Sequence, residues 1–146
     1  LNRAKDNNGS CAIGPFIRLF DQTFSLNDLK KVEVSLAVEG DDQFSLEGSS
    51  NIGLISRDLE DLVHQTINEN HQYPDGFALM TGTMFAPTDD RNEPGNGFTH
   101  HLGDAVIIFC PPLGALINRV NYCDKIAPWE FGATALFRNL ATRKLI

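Results

Sequence analysis

The residues able to do chemistry are few and dispersed along the chain. Thr81-Gly82-Thr83 follows the apolar run 77–80 (FALM) directly. Two hydroxyls and a glycine backbone N–H at the end of a strand make a small anion cradle. A strand that simply ends in a glycine turn accounts for the same residues equally well. Lys5 is a single cation among Asn, Gly and Ser, a setting in which a lysine is ordinarily solvated. His100-His101 is an adjacent pair, whose side chains point apart in a strand, so it suits a metal poorly and reads as a solvated loop pair. His64 and His71 fall on or after a polar helix end and read as surface. Asp89-Asp90 with Glu93 offers oxygens to a hard cation, which needs several of them, but a solvated acidic loop is the more ordinary reading. There is no P-loop, G-x-G-x-x-G, G-x-S-x-G or H-E-x-x-H.

The composition narrows the function classes. Hydrophobic residues make up 42% and charged residues 21% of 146, which predicts one ordinary folded domain over 1–146. A net charge of −7, with no basic run longer than Lys30-Lys31 or Arg143-Lys144, predicts neither nucleic-acid nor anionic-membrane partners. The longest apolar run, 105–110, stops at Pro111-Pro112, far short of the ~20 residues of a membrane span. Cys11, Cys110 and Cys123 are odd in number and form no C-x-x-C pair. They read as free thiols in a reducing, hence cytoplasmic, compartment, with Cys110 a buried core thiol. The chain starts at Leu1 in a polar stretch without signal-peptide character.

The elements that must position these residues follow from periodicity. Residues 1–15 read as loop ended by Gly14-Pro15, 16–20 (FIRLF) as a short strand, and 26–29 as a turn. Val32, Val34, Leu36 and Val38 alternate onto one face. With the turn 39–42 and the alternating 43–47 they predict a hairpin. Ser56 begins a helix whose Leu59, Leu62, Val63 and Ile67 keep helical spacing, with Asp58, Glu60 and Asp61 at its positive end. Residues 77–80 predict a buried strand, and 84–103, with Pro87, Pro94, Gly95 and Gly97, a long loop of the kind that often carries function. Two further strands are expected over 105–109 and 115–120, then a helix over 130–143. The class is mostly β with two helices.

Taken in order, several stretches resemble the fumarylacetoacetate hydrolase family, nearest the branch acting on 2-keto-3-deoxy sugar acids and their diketo relatives. They are AKDNNGSCAIGP (4–15), DLVHQTINENHQYPDGFALMTGT (61–83), FTHHLGDAVII (98–108), LGALINRV (113–120) and PWEFGATALFRNLATRKLI (128–146). The resemblance implies part of a mixed β-sandwich roll, the C-terminal portion of the family's catalytic domain. It implies a divalent metal, Mg²⁺ or Ca²⁺, chelated by a 2-oxo acid and acting as a Lewis acid in C–C hydrolysis or dehydration. By the same resemblance Lys5 matches the active-site lysine and Thr83, with Thr81 and Gly82, the substrate-carboxylate contact. Gly14-Pro15 and Gly103-Asp104 match structural positions.

The sequence also departs from the family. The metal is held there by an E-x-E pair and a further aspartate upstream of the lysine. No E-x-E occurs here, and Glu47, Glu60 and Glu69 lie on elements that align elsewhere. The resemblance therefore implies a lysine and a threonine without the metal cage, in a truncated relative inactive alone. The alternatives are a non-catalytic binding or dimerising module and a plain structural module. A homodimer or higher assembly is expected in each, since half of a larger roll exposes sheet edges and apolar surface.

Overall fold

The computed structural model describes residues 6–14 and 16–146. Lys5 and Pro15, both singled out above, lie outside the described residues. The organised centre is a four-stranded antiparallel sheet of β1 (Glu33–Glu39), β2 (Ser45–Asn51), β3 (Ala105–Cys110) and β4 (Gly114–Arg119), in the order β2-β1-β3-β4. Two hairpins build it. In the first, Gly40 N–H donates to the Phe44 carbonyl at 2.9 Å and Gln43 N–H to the Gly40 carbonyl at 3.1 Å. In the second, Leu113 N–H donates to the Cys110 carbonyl at 2.9 Å. Pairing of β1 with β3, from Ser35↔Phe109 to Glu39↔Ala105, joins the hairpins across a long stretch of chain.

Alternation along the strands decides which side is buried. Val38 lies opposite both Leu46 and Val106, and Leu36 opposite Ile108, so these apolar residues share a face with Val34. Val38 is 1% exposed and Leu46 is buried beside it; Val32 and Cys110 are also buried. Phe85 packs on this face over Gly48, where a Cβ would run into the phenyl ring. The other face, with Ala37, Phe109 and Ile117, is open, and Ile117 is 62% exposed.

Among the described residues there are three α-helices besides the sheet. α1 (Leu26–Leu29), expected as a turn, is a single helical turn because Ser25 and Asp28 cap it reciprocally. α2 (Leu59–Thr66) has Asp58, not Ser56, as its N-cap; the Asp58 carboxylate accepts from Glu60 N–H at 2.8 Å. Lys30 Nζ lies 2.7 Å from the same carboxylate and ties the end of α1 to the start of α2. α3 (Ala133–Thr142) begins later than the 130 expected, behind Gly132, which has no side chain with which to cap it. Among the described residues the class is thus an antiparallel sheet with few helices, three where two were expected. Among the described residues no helix is long and apolar enough to cross a membrane.

Two expected strands are not strands. Residues 16–20 pair with nothing, and Ile17 is 84% exposed. The chain there turns at Asp21, whose carboxylate binds Arg18 and accepts from Thr23 N–H and Phe24 N–H. Residues 77–80 are irregular and exposed, with Met80 at 70%. Both runs are apolar enough for a strand, but a strand needs a neighbouring backbone to take its hydrogen bonds, and among the described residues none pairs with them.

Candidate functional site

Thr81, Gly82 and Thr83 cross a cavity of about 490 Å³ whose sheet wall is Val34, Leu36 and Ile108. Ser49 and Ser50 from β2, with His100 and Phe85 from the long loop, also line it. Two hydrogen bonds hold the end of the segment. Met84 N–H donates to Ser50 Oγ at 2.9 Å, and Phe85 N–H to Thr83 Oγ1 at 3.1 Å. A hydroxyl carries one donor and two acceptor positions. Ser50 and Thr83 therefore use acceptor positions on the backbone, and no described residue takes up their O–H donors. Gly82 has φ of 79°, in the left-handed region, and open space where a Cβ would stand. The backbone conformation favours glycine here, and no described residue accepts a hydrogen bond from its N–H. Thr81 also lines a neighbouring cavity of about 480 Å³ with Leu29, Leu59 and Val63.

Beside this cavity sits a charged cluster that the sequence reading missed. Arg91, in the loop 84–103, is 2% exposed, and Asp104, just before β3, is 1% exposed. The guanidinium donates to both oxygens of Asp104, at 2.6 and 2.9 Å, and to both oxygens of Asp42, at 3.1 and 2.8 Å. It also donates to the Thr99 carbonyl at 3.2 Å and lies 4.5 Å over the Phe44 ring. His101 N–H donates to Asp104 at 2.9 Å. The hydrogen bonds from Arg91 hold the Asp104 carboxyl well below the usual carboxylate range and lower Asp42 as well; the two carboxylates in turn raise Arg91. Asp42 belongs to the β1–β2 turn, so the cluster pins the long loop to the sheet. Nothing in local spacing marks Arg91. Its one signal is an isolated arginine in a Pro- and Gly-rich loop, next to two acids.

The histidine pair is not simply solvated. His100 Nδ1 lies 3.5 Å from Asp104 Oδ2, and His101 Nδ1 lies 3.5 Å from Asp42 Oδ2. Asp104 exceeds the turn role expected of it, since it anchors Arg91 from a buried position. Asp90 accepts from Gly95 N–H and Gly97 N–H, both at 2.7 Å, which lowers its pKa and shapes the loop. The carboxylates nearest the cavity are thus committed to an arginine or to backbone N–H groups. Among the described residues no three His, Cys, Asp or Glu side chains converge on a metal position. The described donor set does not fit the divalent cage of the resembling family, and no chemical step is assigned to a metal. Cys110 is buried, which pushes its thiol up, whereas Cys11 and Cys123 are exposed; all three are free. Thr81, Gly82 and Thr83 line one cavity, while Lys5 lies outside the described residues. Comparison with protein-family models, curated proteins and solved structures finds no match to this chain.

Proposed function

We propose that this chain binds a small 2-oxo acid by its carboxylate at Thr81-Gly82-Thr83. In this proposal it is a fumarylacetoacetate hydrolase-like protein, related to the metal-dependent hydrolases and dehydratases of 2-keto-3-deoxy or diketo sugar acids. The observation that carries it is the joining of Thr81, a left-handed Gly82 and Thr83 in one cavity of about 490 Å³ with Ser49 and Ser50. That volume suits a small ligand, and the mixture of an apolar wall with a few polar donors suits an acid bearing a short carbon chain. The O–H groups of Ser50 and Thr83 would bind and orient the carboxylate. Lys5, matched to the family's lysine, would add a fixed positive charge. Without an E-x-E pair the sequence lacks the family's metal carboxylates, so the proposed role is binding without turnover by this chain alone. Three free thiols support a cytoplasmic setting.

Titration with pyruvate and with oxalate, followed by thermal unfolding, tests this. A ligand that binds only the folded chain raises Tm with concentration. Thr83→Ala should raise the ligand concentration needed for a given shift by about tenfold, the loss of one charge-assisted hydrogen bond. No shift with either acid at millimolar concentration would overturn the proposal.

A second reading, a dimerising module, is favoured by the extent of surface. The chain exposes 11771 Å², whereas a compact monomer of 16.1 kDa exposes roughly 7,400 Å². The proposed partner is a second copy.

A further inference from the structure

We propose that the acid bound at Thr81-Gly82-Thr83 carries a hydrocarbon tail, and that this tail occupies the neighbouring cavity lined by α1, α2 and Leu79. The inference rests on the carboxylate reading and adds the substrate class, a 2-oxo acid with an apolar chain and not a polyhydroxylated one. Three observations lead to it. First, the two cavities meet. Thr81 lines both the cavity of about 490 Å³ and the one of about 480 Å³, so a ligand held at Thr81 has a second volume beside its distal end. Second, the two walls differ in chemistry. The first gathers the hydroxyls of Ser49, Ser50, Thr81 and Thr83. The second is walled by Leu26 and Leu29 of α1, Leu59 and Val63 of α2, and Phe20 and Leu79. Val63 is 40% and Leu79 39% exposed, so both keep apolar surface that a tail would cover. Third, charge fixes the direction. No lysine or arginine is among the described residues lining the second cavity, whereas Glu60 is.

The chemistry follows from these positions. Asp58 caps α2, and Glu60 and Asp61 stand in its first turn, so the positive end of that helix is already answered by carboxylates. An anionic head placed in the second cavity would meet like charge there. It belongs at the hydroxyls and the Gly82 backbone, and the opposite end of the molecule points toward Leu59 and Val63. Each methylene that leaves water for an apolar wall strengthens binding by about threefold. A hydroxyl in the same place gives up its water and finds few partners, since Thr81, Glu60 and His64 are the only polar side chains among the described lining residues. The pair of cavities therefore selects by its tail an acid that it anchors by its head, a discrimination that Thr81 and Thr83 alone do not supply.

The test is calorimetric titration of the full chain with pyruvate, 2-oxobutanoate, 2-oxohexanoate and 2-oxooctanoate. Affinity should rise along the series by about threefold per methylene. Wild type should also prefer 2-oxohexanoate over a 2-keto-3-deoxy sugar acid of equal carbon number by about tenfold or more. Val63→Trp, which fills the second cavity from a half-open position on α2, should flatten the series and leave pyruvate affinity unchanged. Val63→Asn, which keeps the volume and removes the apolar wall, should lower the gain per methylene in the same way. Thr83→Ala should weaken every member by one common factor. Pyruvate binding with no gain along the series, a preference for the sugar acid, or a gain unaltered in both Val63 variants would overturn the tail site and leave the carboxylate reading standing. Gain along the series with no effect of Thr83→Ala on any member would overturn the carboxylate reading. No binding of any of these acids would overturn both.

Discussion

Arg91 is the residue on which the loop depends. A buried guanidinium between two carboxylates is stable only while every partner is present, since an unpaired buried charge costs more than the pair returns. Arg91→Met leaves Asp104 buried without its cation and should cost about 3–5 kcal/mol of stability by urea denaturation. The double variant Arg91→Met with Asp104→Leu should recover part of that loss, because no charge is then stranded. Asp42, on the solvent side, should tolerate Asn better than Asp104 does. The cluster also sets an acid limit. The Asp104 carboxyl lies well below its unfolded value because Arg91 favours its charged form. Its stabilisation is fully present above about pH 4 and is lost as pH falls toward the folded value. Stability measured in pH steps should fall less steeply below about pH 4 in Asp104→Asn than in wild type. The slope should not vanish, since Arg18 lowers Asp21 and Lys30 lowers Asp58 in the same direction.

At the scale of elements, the strands that alternate are the strands that form. Val34, Leu36 and Val38 require a two-sided surface, and the turn chemistry of 39–42 allows the chain to reverse, so β1 and β2 were legible. The strand at 105–109 was legible instead as a continuous apolar run stopped by Pro111-Pro112, and its partner as the apolar stretch after Gly114. Residues 16–20 and 77–80 carry similar local signals without a neighbour, and local signals contain no information about neighbours. The loop 84–103 was recognisable as a loop, but its attachment at both ends was not. One attachment is Phe85 on Gly48 and the other is Arg91 between Asp42 and Asp104. Gly48→Val places a side chain where the Phe85 ring lies. It should cost about 1–3 kcal/mol through overpacking. Because Phe85 borders the cavity, the same variant should also weaken oxalate binding, as read by the thermal-unfolding titration above.

For the whole molecule, surface area is the governing quantity. The excess of roughly 4,000 Å² over a compact monomer of this mass exceeds what one partner contributes to a large obligate interface. The proposed homodimer should give twice the chain mass in light scattering at micromolar concentration, and its Tm should rise with protein concentration. A single-chain mass with a concentration-independent Tm would overturn it. Period-two alternation, turn residues and helix caps are local properties of the chain. By themselves they determined a mostly β class with few helices, a hairpin over 32–47, a long loop near 84–103 and a hydroxyl-glycine-hydroxyl segment entering it. Which apolar runs found partners, the burial of Arg91 and the meeting of Thr83 with His100 were decided only by the tertiary structure. Those outcomes depend on contacts between residues far apart in sequence, where the energy of a charge or an apolar side chain is set by its surroundings rather than by its neighbours along the chain.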